Sequence, residues 1–450
     1  MNEMHFPYPY VITALDKHYG VKAKPVTLKK TGTGKDKGKV KDKDSKRKKK
    51  DKKDKSIKKK SKPGKKLSIL IATFWDYPHT GGLSNYITTL KAGLKASGHK
   101  VDVISPNQFS PAKVETLREA VVPQLKTLFQ NRYGTYTSKI IQSCRLLYIY
   151  EQMLESVKLE KYDILHAQDL FTANILGRLN ESLGKPLLFT PHGMFTFSRV
   201  RFNRIVRGSE EEVYYKEIEK KAIEYATHMV ILSDSFREPL SRLGARSSKL
   251  TTVNTGIDFT PLPRKGTSGK VVISCVARLG PRKGHSDLLL ALSKLKKLNE
   301  DVEVQIVGDG EMREALEAQV KELGLKNVKF LGKRDDVPAI LSKTDIFVLP
   351  TINDNLPISI IEAMHSGTAV LTTNCGGITE IVHHNETGLI VQPGNVVQLA
   401  TQLKQLIING ALRSKLAENA SRYAKNRLTR EAMVQRIEHI YQHLLTSGGS

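Results

Sequence analysis

The 450-residue sequence is poor in the features that mark secreted, disulfide-bonded or membrane-spanning proteins. It has three cysteines, Cys144, Cys275 and Cys375, which lie far apart and form no CxxC pair. An odd number of scattered cysteines argues against a disulfide framework and favours a reducing compartment. No run approaches the roughly eighteen apolar residues that a spanning helix needs, and no signal pattern opens the chain. These absences predict a cytoplasmic protein whose membrane contact, if any, is peripheral at the inner face.

Positive charge is abundant but unevenly distributed. Residues 21–66 hold 23 Lys/Arg and five Asp, which is +18 of the net charge of +27. Because such a composition has little to offset chain entropy, and because the aromatic residues 6–10 are too few for a core, residues 1–66 are expected to be disordered. A chain that starts at Lys65 is then expected to fold and to keep its activity.

The lysine-rich extension has two interpretations. It can attract anionic lipid or anionic cell polymers electrostatically, or it can be a solvated spacer. Because aromatic and arginine residues are scarce among its lysines, no specific nucleic-acid partner is expected.

From residue 67 onward, short apolar runs alternate with helical patterns, which is typical of parallel sheets with crossover helices. A segment with proline and glycine at 261–269 separates two such series. The sequence therefore predicts an α/β protein with two doubly wound, Rossmann-like domains that face each other across a cleft. Strands are expected at 67–72, 101–105, 164–167, 187–190, 229–233 and 250–254, and then at 271–277, 302–307, 328–331, 346–349, 370–373 and 389–391.

The most informative segment places two carboxylates eight residues apart. Asp354 lies in a polar loop, whereas Glu362 lies in an apolar helix for which Pro357 suits the first turn and Gly367 the C-terminal cap. If that helix is buried, the charge of Glu362 needs dedicated hydrogen-bond donors, and sugar hydroxyls are such donors. The alternative is that Glu362 points to solvent from an amphipathic helix.

Other polar residues follow the predicted strands. Gly82 belongs to a glycine loop that opens a helix, where amides can approach an anion, and His192 lies just past a strand. Arg278 and Lys283 flank a Gly-Pro turn and can clamp a diphosphate, and Gly308 follows a further strand. Each has an ordinary alternative: a tight turn, a packed histidine or unspecific surface charge.

Together and in this order, these residues resemble glycosyltransferase family 4, the retaining, nucleotide-sugar-dependent group with the GT-B fold. The resemblance covers about residues 67–445. It implies an acceptor domain at 67–262, completed by a helix near 426–445, and a nucleotide-sugar donor domain at 263–425.

The resemblance also implies roles for the matching residues. Arg278 and Lys283 bind the diphosphate, Glu362 binds ribose hydroxyls, and His192 orients the donor sugar. Asp354 stands where the family usually has Glu, which puts the donor sugar rather than activity in question. Further donor contacts are expected at Gly82, Gly308 and Ile358. No metal and no cofactor are expected, because the nucleotide sugar is a substrate.

The implied activity is transfer of a hexosyl unit, with UDP as the expected nucleotide, to a hydroxyl of a glycan, a cell-surface polysaccharide or a glycolipid. Arg199 and Arg204 alternate with apolar residues after His192, so they face an anionic or lipid-linked acceptor or else decorate a surface helix. Two other functions stay open at this point: a catalytically weak coat-type protein, and a nucleotide-sugar epimerase.

Overall fold

The computed structural model describes residues 8–22, 65–79, 81–264 and 269–447. The disorder expected of residues 23–64 lies outside the described residues. Within the described part, no helix is both long and apolar enough to cross a membrane.

Two six-stranded sheets, each with all strands parallel, form the two domains. The first has the order β2-β1-β3-β4-β5-β6 and the second β12-β11-β10-β7-β8-β9. The predicted pair of doubly wound sheets is therefore confirmed, with all twelve predicted strands present to within a few residues. The strands are β1 Ser68–Ala72, β2 Lys100–Ile104, β3 Ile164–Ala167, β4 Leu187–Phe189, β5 His228–Ile231, β6 Leu250–Thr252, β7 Val271–Val276, β8 Val302–Val307, β9 Val328–Gly332, β10 Ile346–Leu349, β11 Ala369–Thr373 and β12 Leu389–Val391.

Helices connect the strands and cover the sheets. Asp169 and Asn395 accept hydrogen bonds from the first turns of the helices that they cap, as N-cap side chains do. The helices of the described part are α1 Pro9–Tyr19, α2 Gly82–Ala96, α3 Pro111–Tyr133, α4 Ser138–Leu154, α5 Leu170–Leu179, α6 Phe195–Arg201, α7 Glu210–Tyr225, α8 Arg237–Arg242, α9 His285–Ser293, α10 Arg313–Glu322, α11 Val337–Leu341, α12 Ile358–His365, α13 Val396–Ile408, α14 Gly410–Arg427 and α15 Arg430–Ser447.

The strand order places the site. In each sheet the order reverses once, between β1 and β3 in the first domain and between β7 and β10 in the second. Neighbouring loops leave in opposite directions at such a switch point and open a crevice beyond the carboxyl ends of the strands. The loops that follow β1, β3, β7 and β10 are therefore the segments that border the ligand crevices.

The last helix returns to the first domain. Met433 and Tyr441 of α15 are buried in the core of that domain, and the Tyr441 hydroxyl lies 2.7 Å from His166 Nδ1. A Cβ atom at Gly93 of α2 would lie 2.4 Å from Val434 Cγ2, so α2 and α15 can pack this closely only because residue 93 is glycine.

Residues 8–22 differ from the expectation of disorder because they form α1, which packs on the first domain. Tyr8, Val11 and Leu15 are fully buried, and the Tyr8 hydroxyl donates a 2.7 Å hydrogen bond to Glu151 Oε2. With Ile12, these apolar residues recur at helical spacing and make one stripe that covers α7 and its neighbours. The short segment needs no core of its own, since it completes one formed by distant residues.

Candidate functional site

One cavity of about 640 Å³ is bordered by loops and helices of both domains. The first domain contributes His192, Arg199 and Arg204, and the second contributes Arg278 and Lys283. The structure thus brings together five residues that the sequence predicted for the site, and these residues come from two segments on either side of the linker between the domains. They meet because segments that follow strands of both sheets border the same cavity.

Lys283 is held against the loop that carries Asp354. Its ammonium group forms an ion pair with the Asp354 carboxylate, and both side chains are about three-quarters or more buried. Gly284 has a left-handed φ of 73°, and a Cβ atom there would lie 1.9 Å from the carbonyl oxygen of Pro350. Only glycine fits this approach, which fixes where Lys283 points. The Asp354 amide in turn donates to Cys375 Sγ at 3.1 Å.

Arg278 is less constrained. Its guanidinium donates a 2.9 Å hydrogen bond to Glu311 Oε2, and both side chains are exposed. Exposed ion pairs contribute little net stability, so Arg278 exchanges readily from this carboxylate to an incoming anion. Gly308 lies against this segment: a Cβ atom there would lie 2.0 Å from the Ala277 carbonyl oxygen, and its own amide donates to Gly332. Its amide is therefore already paired, and the predicted donor contact at Gly308 stays a prediction.

Glu362 lies among buried neighbours on α12, and this burial raises its pKa to about 7. No protein donor bonds its carboxylate within the described residues, so a ligand with hydroxyl groups would satisfy it. Ile358, one turn earlier, approaches the first domain: a Cβ atom at Gly82 would lie 4.0 Å from Ile358 Cδ1. Pro357 precedes the helix at the N-cap rather than in the first turn.

His192 lines the cavity and makes contacts with residues of both domains. Its Nε2 lies 3.1 Å from Gln168 Oε1, and its ring packs edge-on against Tyr86 with centroids 4.7 Å apart. Burial lowers the pKa of His192 to about 3, so the imidazole is neutral near pH 7. From the other domain, Asn355 Nδ2 donates to the His192 carbonyl oxygen at 3.0 Å. The histidine is thus fixed in place as a neutral hydrogen-bonding group.

The polar residues of the cavity wall that the sequence analysis did not identify include Gln168, Asp169 and Glu219. Gln168 and Asp169 directly follow β3, so the rule that sites follow strands would have identified them. Asp169 accepts the Phe74 amide at 2.7 Å and thereby fixes the loop after β1. Glu219 accepts the Phe195 amide at 2.8 Å and anchors α6, but it lies within a charged helix and gave no sequence signal.

Glu380 of the second domain accepts hydrogen bonds from the first domain. Its Oε1 accepts hydrogen bonds from the Ser233 hydroxyl and the Asp234 amide, each at 2.7 Å, and its Oε2 accepts one from Asn254 at 3.1 Å. These three donors belong to the first domain, so Glu380 links the two domains by hydrogen bonds. Among the described residues, no three His, Cys, Asp or Glu side chains form a group suited to a metal ion. The expectation of a reaction without metal stays a prediction.

Two family models match adjacent parts of the chain. The model described as "Glycosyltransferase Family 4" matches residues 80–260, and "Glycosyl transferases group 1" matches residues 262–425. The boundary between them falls in the linker between the two sheets.

Curated relatives match most of the chain. The glycogen synthase of Mycobacterium tuberculosis (strain H37Rv) is 25% identical over 381 residues, which is 80% of this chain and 90% of that protein. The 2-deoxystreptamine N-acetyl-D-glucosaminyltransferase of Niallia circulans is 26% identical over 361 residues, 75% of this chain and 91% of that protein.

Solved structures share the fold. A sucrose-phosphate synthase from Thermosynechococcus elongatus superposes with a TM-score of 0.67 at 19% identity, covering 85% of this chain and 100% of that one. HepE of Anabaena in complex with UDP gives a TM-score of 0.61 at 18% identity, covering 84% of this chain and 100% of that one. At these identities the likeness establishes the two-domain GT-B architecture.

Proposed function

The chain belongs to the family 4 glycosyltransferases, and we propose that it transfers a hexosyl unit from a UDP-sugar to a hydroxyl acceptor with retention of configuration. The acceptor class is a glycan, a cell-surface polysaccharide or a glycolipid. The observation that carries the proposal is the convergence of Arg278, Lys283 and His192 on one cavity between the domains. Support for UDP comes from HepE of Anabaena, which has been solved with UDP and with UDP-glucose.

The charged groups suit the departure of a nucleoside diphosphate. As the bond between the anomeric carbon and the phosphate oxygen breaks, negative charge grows on the diphosphate, and Arg278 and Lys283 stabilise it. The acceptor hydroxyl oxygen bonds to the anomeric carbon on the same face, and its proton passes to the departing phosphate oxygen. This route needs no protein nucleophile, and no metal ion takes part in it.

The remaining residues position the donor. Glu362, whose carboxylate has no donor in the part of the chain that the structure describes, accepts the ribose hydroxyls. Asp354 accepts hydrogen bonds from sugar hydroxyls. Its ion pair with Lys283 couples sugar binding to the residue that binds the diphosphate. Neutral His192, fixed by Gln168, hydrogen-bonds the donor sugar and orients its reacting carbon.

Nucleotide binding tests this proposal directly. Isothermal calorimetry with UDP, GDP and ADP is expected to show binding of UDP, preferred over the other two, with no change on addition of EDTA. Incubation with UDP-sugars is then expected to release UDP slowly, since water replaces the acceptor. Absence of UDP binding, or its loss in EDTA, would contradict the proposed donor site.

The two carboxylates are expected to act on different steps. Glu362→Gln should weaken affinity for UDP itself, because the ribose is present with or without the sugar. Asp354→Asn should lower turnover about tenfold with UDP affinity little changed, because the lost contacts orient the reacting sugar. Calorimetry measures the UDP affinity of each variant, and steady-state kinetics measures its turnover. Equal loss of UDP affinity in the two variants would show that this division of roles is wrong.

The raised pKa of Glu362 predicts a pH dependence of binding. The carboxylate accepts hydroxyl hydrogen bonds best when ionised, and its pKa of about 7 means that it gains a proton as the pH falls through 7. UDP affinity is therefore expected to decrease by up to about tenfold for each pH unit below that pKa. Glu362→Gln has no such group and serves as the control, because it retains only the titration of UDP. A parallel decrease in both proteins would contradict the assignment.

A further inference from the structure

The cavity has more cationic side chains than the donor diphosphate uses. Its cationic residues are Arg199, Arg204, Arg278, Arg282 and Lys283. Three acids line the same cavity, and Asp354 pairs with Lys283. Asp169 and Glu219 are buried and accept backbone amides, whereas Glu311 pairs with Arg278. When a diphosphate replaces Glu311 on Arg278, Glu311 still lies near Arg204, and Arg199 faces the cavity.

Arg199 is the best placed of the surplus cations. It is half-buried, and its guanidinium stacks on the Phe195 ring at 4.1 Å from the centroid. Glu211, whose charge acts on Arg199, forms its ion pair with Lys139. Burial lowers the pKa of Arg199 and nearby Arg204 lowers it further, whereas Tyr215 and Glu211 act in the opposite direction. A desolvated cation beside a like charge gains strongly from a bound anion. Glu219 holds the start of α6, so this geometry is preset.

An aromatic group adjoins these cations in the cavity. Trp75 and Phe171 meet edge-on with centroids 6.4 Å apart, and Phe171 meets Phe195 in the same way at 5.1 Å. All three line the cavity. An aromatic surface next to fixed cations favours a ligand that has an apolar or ring-shaped body and a separate anionic group.

We propose, on the basis of the proposed transferase function, that the acceptor is a phosphate-bearing molecule whose phosphate binds Arg199 and Arg204 while its body lies on Trp75 and Phe171. Two guanidinium groups suit the charge and the three terminal oxygens of a phosphate ester. The phosphate belongs either to a soluble ester or to a lipid headgroup.

Trp75 provides the measurement because it is the only tryptophan in the chain, and 41% of it is exposed. Its fluorescence is titrated with phenyl phosphate and with uncharged benzyl alcohol, using the full chain saturated with UDP. Phenyl phosphate is expected to bind at least about tenfold more tightly than benzyl alcohol, because only the phosphate can form charge-assisted hydrogen bonds with the arginines. Arg199→Ala should abolish that preference and Arg199→Lys should retain part of it. Arg334→Ala, which removes an equal charge from a surface pair with Asp336, should leave it unchanged.

The same titration without UDP in the double variant Arg278→Ala, Lys283→Ala separates this inference from the donor proposal. A phenyl phosphate preference that persists there and depends on Arg199 supports the acceptor site, whatever the result for UDP. Equal affinity for the two ligands, or a preference that survives Arg199→Ala, overturns the inference, while UDP calorimetry reports on the donor site alone. An Arg199-dependent Trp75 change with phosphatidylcholine vesicles containing phosphatidic acid assigns the phosphate to a lipid. Its absence assigns the phosphate to a soluble ester.

Discussion

Removal of residues 1–22 is expected to lower the free energy of unfolding of the first domain by several kcal/mol, because α1 supplies core side chains. Tyr8, Val11 and Leu15 are each fully buried. Truncating a single buried Leu to Ala costs about 2–5 kcal/mol, and the deletion exposes the apolar surface beneath all three. This result would reverse the expectation that a chain starting at Lys65 keeps its fold.

A matched pair of substitutions tests the same point in the full chain. Leu15→Ala should lower the stability by about 2–4 kcal/mol, whereas Lys17→Ala, on the exposed face of α1, should change it by less than about 0.5 kcal/mol. Guanidinium unfolding followed by Trp75 fluorescence reports the first domain specifically. Equal, small effects of both substitutions would mean that α1 contributes nothing to the domain. Replacing the lysines of 23–64 by Gly and Ser should preserve both stability and turnover, which separates the helix from the charged segment.

The sheets could be predicted because parallel strands that are covered on both faces have short, continuous apolar sequences. β10 and β11 are buried at every position, and their sequences show it without any knowledge of the partners. α1 could not be predicted in the same way. Its apolar stripe is short, the lysine-rich composition around it suggested disorder, and its hydrogen-bond partners Glu151 and Asn174 lie more than 140 residues away. Stability conferred by distant residues leaves no local signal.

The site, too, could be predicted only in part from the sequence. His192, Arg278 and Lys283 each follow a strand, so a rule about strand ends was sufficient to place them at the cavity. The interactions between side chains needed coordinates. The pairing of Lys283 with Asp354 and the anchoring of α6 by Glu219 depend on how the loops approach each other in space. Spacing along the chain carries no information about such approaches.

Simultaneous loss of Arg278 and Lys283 is expected to have the largest effect on the donor site. Each removes charge-assisted hydrogen bonds to the diphosphate worth about 1.5–3 kcal/mol, so the double variant should lose about two to four orders of magnitude in UDP affinity. The reaction rate should fall as well, since the same groups stabilise the charge that develops on the departing diphosphate.

The two single variants are not expected to be equal. The Arg278 side chain is 76% exposed, so solvent screens its attraction, whereas the Lys283 side chain is only 23% exposed. Lys283→Ala also leaves the Asp354 carboxylate without its cation, next to the incoming diphosphate, and the two negative charges repel. Lys283→Ala should therefore weaken UDP binding more than Arg278→Ala, and adding Asp354→Asn should recover part of the loss. Calorimetry on the three variants, with Arg334→Ala as the control, measures this order. Unchanged UDP affinity in the Arg278→Ala, Lys283→Ala double variant would place the diphosphate elsewhere. A larger effect of Arg278→Ala than of Lys283→Ala would show that burial does not set the strength of these two contacts.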